Sequence, residues 1–115
     1  MKQSNKTAVM IITVMIIIAI IILIYYVKAN GITDEKTIKC ISEKAVLYVS
    51  KTCGHCATQK QILGEYLDYF EIIDCQDEIE KCKNNEILYV PTWIISGEKD
   101  TGVKTIAELK EITGC

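Results

Sequence analysis

The chain has 115 residues and a formal net charge of −2, which suits one small domain and a short extra segment. Lys2, Lys6 and Lys28 contribute +3 to that total, so residues 29–115 carry −5. An acidic soluble part argues against nucleic acid as a partner and against a domain that lies flat on anionic lipid.

The first predicted element is a membrane-spanning helix over residues 8–27, AVMIITVMIIIAIIILIYYV, which contains no charged residue, Gly or Pro. A helix of this length spans about 30 Å, the thickness of a bilayer hydrocarbon core. Tyr25 and Tyr26 lie at its end, where an aromatic belt is expected. A cleaved signal peptide is the alternative, but its apolar region is usually about 7–15 residues long. The best cleavage site, Val27-Lys28-Ala29, is poor, so we favour an uncleaved anchor.

Basic residues without acidic ones precede this helix, so the positive-inside rule predicts a cytoplasmic N-terminus over residues 1–7. The rest of the chain is then extracytoplasmic, and the protein crosses the cell membrane once. Residues 28–43 are polar with scattered apolar positions, and we interpret them as a tether. The predicted domain covers residues 44–115.

Six cysteines occur after the anchor, at Cys40, Cys53, Cys56, Cys75, Cys82 and Cys115. An even, dense set in a small exported domain suggests disulfides, which agrees with the oxidising compartment that the anchor implies. Cys40 and Cys115 flank the domain, and they can pair with each other or remain free. The sequence does not choose among the possible pairings.

The domain is predicted to begin with a buried strand over residues 45–50, AVLYVS. After the Cys53–Cys56 motif, apolar residues recur at helical spacing from Ile62 to Phe70, which predicts an amphipathic helix. Gly64 interrupts this helix, and we attribute it to close packing against a neighbour.

The remaining predicted elements are a strand at 70–74, a short charged helix at 77–84, a strand at 92–96, a turn at 97–100, a short strand at 102–104 and a final helix. Thr105 and Glu108 form a capping box for that helix, Ile106, Leu109 and Ile112 share one face, and Gly114 ends it. The order β-α-β-α-β-β-α is the minimal thioredoxin arrangement, an α/β fold with a central mixed sheet.

The motif Cys53-Gly54-His55-Cys56 lies between a buried strand and the start of a helix. Unpaired N–H groups at a helix N-terminus stabilise a thiolate, and a protonated His55 would add to this effect. We therefore expect the Cys53 pKa to lie well below the free value of about 8.5. A thiolate is the attacking species in disulfide exchange, and Cys56 is placed to close an intramolecular disulfide and release a substrate.

Other interpretations of the motif are a zinc site shared with Cys75 and Cys82, a structural disulfide, and a bystander role for His55. Structural zinc sites usually combine two closely spaced ligand pairs, whereas six residues separate Cys75 from Cys82. The strand–helix setting favours redox chemistry, and we expect neither a metal nor a cofactor.

Pro91 is the only proline and precedes a predicted strand. A plain proline at a strand start is sterically allowed. The more specific hypothesis is a cis Val90–Pro91 bond opposite the dithiol, because a cis bond exposes backbone groups that can pair with an extended substrate. Val90 and Pro91 are therefore candidate substrate-binding residues.

The CGHC motif after a strand, with a later proline before Thr, resembles the thioredoxin superfamily, and its Gly-His dipeptide resembles that of protein disulfide isomerases. Over residues 45 to about 114 the chain is similar to the thioredoxin-like domain that accompanies vitamin K epoxide reductase homologues. The matching positions are Cys53, Cys56, Gln59, Lys60, Gly64, Cys75, Cys82, Pro91-Thr92-Trp93, Gly97, Thr101-Gly102 and Glu108-Leu109.

In that family the domain passes oxidising equivalents between a quinone-reducing membrane enzyme and exported proteins. The resemblance implies that Cys53 is the nucleophile, Cys56 the resolving thiol and Pro91 the cis proline. It also implies a second, structural Cys75–Cys82 disulfide, with a redox relay to Cys53 as the alternative. A single anchor cannot supply the reductase bundle, so the membrane redox partner would be a separate protein.

Three departures from the related domains are visible. The interval between Cys75 and Cys82 is often longer in those domains, Glu86 stands where a Gly is common, and Val90 stands where a Tyr is common. In addition, the strand over residues 45–50 contains no acidic residue, so the buried carboxylate that assists proton transfer in thioredoxin is not found there.

The leading functional hypothesis is an oxidant that donates disulfides to exported cysteine-containing proteins. A second hypothesis is the reverse chemistry, a membrane-bound thiol reductant or a disulfide isomerase. A third is a non-catalytic adaptor whose disulfides brace a binding surface.

Overall fold

The computed structural model describes residues 2–29 and 33–115, which fall into two compact units divided after Ile32. The described part of the first unit, residues 2–29, forms one helix, α1, Lys2–Ala29. Its segment Asn5–Val27 has a mean hydropathy of 3.3 and is long and apolar enough to cross a membrane. The predicted anchor at 8–27 lies inside this segment, which is a candidate membrane span by length and composition.

The second unit is built on a four-stranded mixed sheet with strand order β2-β1-β3-β4. Its elements are α2 Glu35–Lys44, β1 Ala45–Val49, α3 Gly54–Leu63, a 3₁₀ helix Gly64–Tyr69, β2 Glu71–Asp74, α4 Ile79–Asn84, β3 Thr92–Ile95, β4 Glu98–Thr101 and α5 Ile106–Thr113. β1 pairs in parallel with β2 and antiparallel with β3, and β3 pairs antiparallel with β4. The predicted β-α-β unit, hairpin and closing helix are therefore all present.

Helix α2 replaces most of the predicted tether. The Asp34 side chain caps it by accepting a hydrogen bond from the Thr37 N–H (2.9 Å). Ile38 and Ile41 lie about one turn apart and are completely buried in the core. The tether interpretation was wrong here because two buried side chains are enough to fold an otherwise polar segment onto the sheet. Residues 30–32 of the predicted tether lie outside the described residues.

The main core lies on one face of the sheet, around the completely buried Trp93. Phe70 meets the Trp93 indole edge to face, with ring centroids 5.7 Å apart. Because side chains alternate along a strand, Leu47 of β1 faces this core, whereas its neighbour Tyr48 packs with Ile73 in a smaller cluster. The β1 strand is thus buried on both faces, as its apolar sequence predicts.

Gly64 ends α3 instead of lying within a longer helix. Its backbone has φ +51° and ψ −123°, a conformation that is open essentially to glycine alone. A Cβ placed on Gly64 would meet no atom within 4 Å. The predicted close packing is therefore wrong, and the glycine is required by the backbone. The chain continues as a 3₁₀ helix as far as Tyr69.

The β3–β4 hairpin is shorter than predicted. Ile95 lies opposite Glu98, so Ser96 and Gly97 alone form the turn, with φ +51° and +87°. Positive φ at both positions matches a type I′ turn, whose twist suits two adjacent strands. The predicted turn at 97–100 and strand at 102–104 were therefore wrong, since β4 begins immediately after Gly97.

Helix α5 has the predicted capping box, with the Thr105 and Glu108 side chains each accepting from the other residue's backbone N–H. Gly114 ends the helix in a left-handed conformation, φ +71°. Leu109 is completely buried as predicted, but Ile112 is 46% exposed. Thr113 takes the buried position of the last turn.

Candidate functional site

The two cysteines of the CGHC motif lie at the N-terminus of α3, directly after the end of β1. Cys53 is the N-cap residue and Cys56 lies in the first turn. They form a disulfide with their Cα atoms 5.2 Å apart. Strand β1 and helix α3 thus bring the predicted nucleophile and resolving thiol together.

The two sulfur atoms differ in access. Cys53 is partly exposed, whereas Cys56 is only 1% exposed and belongs to the core. The Cys56 N–H donates a hydrogen bond to Cys53 Sγ (3.1 Å). An external thiol can therefore reach Cys53, and the same N–H is placed to stabilise a thiolate on Cys53 after reduction.

His55 lies between the cysteines on the exposed side of α3. Among residues 33–115, its side chain makes no hydrogen bond to another residue. Its predicted contribution to the thiolate therefore remains a prediction that depends on its charge when protonated.

The Val90–Pro91 peptide bond is cis, as hypothesised. The Val90 carbonyl oxygen lies 3.6 Å from Cys53 Sγ, so the proline segment faces the dithiol. Pro91 itself is buried and Val90 partly exposed. The arrangement leaves backbone at Val90 beside the accessible sulfur, where an extended chain could pair with it.

Several hydrogen bonds hold the proline segment in place. The Gly102 N–H donates to the Pro91 carbonyl (2.8 Å). The Thr92 hydroxyl donates to the Tyr89 carbonyl (2.6 Å) and lies 3.0 Å from the Thr101 hydroxyl. Strand β4 and the residues that follow it therefore support the backbone opposite the dithiol.

Gln59 is a residue of this region to which the sequence assigned no role. It lies one turn after Cys56, and its side chain is completely buried. Its amide exchanges two hydrogen bonds with the Lys104 backbone and accepts one from the Trp93 indole. The signal in the sequence that could have identified Gln59 is a polar residue on the side of α3 that faces the core.

The other four cysteines form two further disulfides. Cys75 pairs with Cys82, as the family resemblance implies, and their Cα atoms are 5.6 Å apart. Cys40 pairs with Cys115 across a Cα separation of 5.9 Å. The cysteines of the alternative zinc site are thus paired as disulfides.

The Cys75 segment lies beside the loop that leads to the dithiol. The Cys75 N–H donates to the Val49 carbonyl (2.8 Å), and the Gln76 amide lies 3.4 Å from the Thr52 hydroxyl. An exposed ion pair joins Lys51 to Asp77 and raises the pKa of the Lys51 ammonium through its hydrogen bond. Such an exposed pair contributes little to stability.

Acidic side chains are absent from β1, as the sequence shows. The completely buried Leu47 occupies the middle of that strand, and Glu43, the nearest acidic residue before it, is exposed.

No family model matches the chain. Among solved structures, the chain is similar to the NTD_N/C domain of the alkylhydroperoxide reductase AhpF from Enterococcus faecalis. The two share 24% sequence identity with a TM-score of 0.50, over 70% of this chain and 44% of that one. The second unit has a thioredoxin-like fold. The predicted fold class is therefore confirmed.

A further similarity is to the oxidised thioredoxin from Plasmodium falciparum, at 18% identity and a TM-score of 0.48, over 71% of this chain and 90% of that one. The chain spans less than half the length of the AhpF domain structure it matches.

Proposed function

We propose that the protein is a membrane-anchored thiol–disulfide oxidoreductase that donates disulfides to exported cysteine-containing proteins. The observation that carries this proposal is the Cys53–Cys56 disulfide at the N-terminus of α3, facing the cis Val90–Pro91 bond. A partly exposed sulfur, a buried partner and adjacent free backbone are the parts that disulfide exchange with a protein substrate requires.

In the proposed reaction a substrate thiolate attacks Cys53 Sγ, because Cys56 is buried. The Cys53–Cys56 bond breaks, and its electron pair leaves on the Cys56 sulfur, which takes up a proton. A second substrate thiolate then attacks the substrate sulfur of the mixed disulfide, and Cys53 leaves as a thiolate. The substrate has lost two electrons and two protons, and the dithiol has gained the two electrons.

The proposed direction of transfer rests on the expected stability of the reduced form. The α3 N-terminus and the Cys56 N–H favour a thiolate on Cys53. Stabilising the reduced dithiol raises its reduction potential and makes the disulfide a stronger oxidant. We therefore propose that the dithiol accepts electrons from substrate thiols rather than giving them to substrate disulfides.

The proposed location and partner rest on the N-terminal sequence. Helix α1 is a candidate membrane span, and basic residues precede its apolar segment. The thioredoxin-like unit would then lie outside the cytoplasm. Re-oxidation requires an acceptor of two electrons, which we propose to be a separate membrane protein, such as a vitamin K epoxide reductase homologue.

The test of disulfide exchange is a Cys56→Ser variant of the full chain, expressed in cells with an affinity tag. Without Cys56, mixed disulfides formed by Cys53 should persist, and the captured proteins would identify both substrates and membrane partner. The Cys53→Ser/Cys56→Ser double variant is the matched control and should capture none. Equal recovery from both variants would support a non-catalytic adaptor instead.

The direction is tested by equilibrating the full chain with glutathione. We expect a potential well above the value of about −270 mV that is typical of thioredoxin. A potential near that value, together with mostly reduced Cys53 in alkylation-trapped cells, would indicate a reductant.

A further inference from the structure

The Gln59 side chain joins the helix of the dithiol to the segment that supports the cis proline. Its Nε2 donates to the Lys104 carbonyl (2.9 Å), and its Oε1 accepts from the Lys104 N–H (2.6 Å). The same Oε1 also accepts from the Trp93 Nε1–H (3.1 Å). One amide thus attaches α3 to β3 and to the chain that follows β4.

The chain that follows β4 is bonded in turn to the proline. Gly102 N–H donates to the Pro91 carbonyl at 2.8 Å, two residues before Lys104. The Val90 carbonyl then lies 3.6 Å from Cys53 Sγ, and Cys53 caps the helix that carries Gln59. These contacts form a closed ring around the site, in which Gln59 is the link on the core side.

Burial makes this link hard to replace. Gln59 is completely buried, so water cannot substitute for its amide. An apolar side chain of similar size would leave the Lys104 N–H and carbonyl and the Trp93 N–H without their partner. Gln61, two residues further along α3, is exposed and provides a matched comparison.

We propose that Gln59 is a positioning residue that holds the Val90–Pro91 segment at its distance from Cys53. This inference rests on the proposed function, because the distance matters when an extended substrate pairs with backbone at Val90 while its cysteine meets Cys53. A small thiol reacts with Cys53 without such pairing. Loss of Gln59 should therefore impair oxidation of an extended substrate much more than oxidation of a small thiol.

The test compares Gln59→Leu with Gln61→Leu in the oxidised full chain in detergent micelles. The probes are an unstructured peptide with two cysteines and dithiothreitol, and each is oxidised to its disulfide while Cys53–Cys56 is reduced. Each reaction is followed as a single turnover with the probe in excess, and KM here is the probe concentration that gives half of the maximal rate. For Gln59→Leu we expect KM for the peptide to rise about tenfold or more, with the rate towards dithiothreitol unchanged. Gln61→Leu should match the wild type with both probes.

Gln59→Glu tests the same idea if the leucine variant fails to fold. Its carboxylate keeps an acceptor but lacks the donor to the Lys104 carbonyl, and protonation restores that donor. KM for the peptide should therefore rise with pH relative to the wild type, and Gln61→Glu should show no such dependence.

If Gln59→Leu impairs oxidation of the peptide and of dithiothreitol equally, Gln59 has a purely structural role and the proposal is wrong. Unfolding of both Gln59 variants would lead to the same conclusion. An unchanged peptide KM in Gln59→Leu would also overturn the proposal, while leaving the proposed function intact. A wild-type chain that oxidises neither probe would instead refute the proposed function, and this proposal with it.

Discussion

Replacing both members of a structural disulfide with alanine should reveal how each one stabilises the thioredoxin-like unit. Cys40 and Cys115 are 75 residues apart in sequence, whereas Cys75 and Cys82 are 7 apart. In the chain-entropy model, a disulfide stabilises more when it closes a longer loop in the unfolded chain. The model gives about 4.5 kcal/mol for Cys40–Cys115 and about 2.4 kcal/mol for Cys75–Cys82.

The expected result is that Cys40→Ala/Cys115→Ala lowers the free energy of unfolding by about 2 kcal/mol more than Cys75→Ala/Cys82→Ala does. Trp93 offers a specific assay, because it is the only tryptophan and is completely buried beside Phe70. Its fluorescence during urea unfolding of the full chain in detergent micelles follows this unit without a contribution from α1.

Side-chain packing reduces the predicted difference in the free energy of unfolding between the two double variants. Cys82 is buried in the smaller core cluster with Tyr48 and Ile73, so its truncation adds a cost of up to about 1 kcal/mol. That cost narrows the difference but does not reverse it. A Cys75→Ala/Cys82→Ala variant less stable than the Cys40→Ala/Cys115→Ala variant would refute the loop-closure reasoning.

Two further predictions concern the backbone and a helix cap. Gly64→Ala should lower the free energy of unfolding by about 2 kcal/mol, because alanine strains the backbone there. Gly54 has neither a positive φ nor a close contact at the place of a Cβ. Gly54→Ala should therefore leave the free energy of unfolding nearly unchanged in the same urea assay. The Thr105 N–H holds the pKa of Glu108 below its usual 4.5, so this carboxylate stabilises the fold above about pH 4.5 and loses its effect as pH falls through the lowered pKa. Glu108→Gln should weaken this dependence of stability on pH, as measured by the urea midpoint at a series of acidic pH values. The control variant Glu111→Gln should preserve the dependence. Identical pH profiles for the two variants would contradict this role of the Glu108 carboxylate.

Features that depend on neighbouring residues were predictable from the sequence. The dithiol between a strand and a helix and the Thr105–Glu108 capping box are both encoded within a few positions. The cis Val90–Pro91 bond was hypothesised because a single proline preceded a strand in a chain with a dithiol. The residues around each motif were therefore sufficient to predict most of the candidate site.

Features that depend on backbone conformation or on distant contacts were missed. Gly64 fits a helical pattern by its neighbours, and only its positive φ shows that the helix ends there. In the sequence, Ile38 and Ile41 are isolated apolar residues in a polar segment, and only the fold shows that they belong to the core. The partners of Gln59 lie 34 and 45 residues away, so no local pattern could indicate them.

The position of each cysteine relative to a helix end distinguishes the Cys53–Cys56 disulfide from the Cys40–Cys115 disulfide. Cys53 caps the N-terminus of α3, where the helix charge favours a thiolate. Cys115, in contrast, follows the C-terminus of α5, and its partner Cys40 lies within α2, so a thiolate at Cys115 would face the negative helix end. The helix charges therefore favour reduction more at Cys53–Cys56 than at Cys40–Cys115. Under the proposed function, the first pair would exchange electrons with substrates while the second keeps the unit closed.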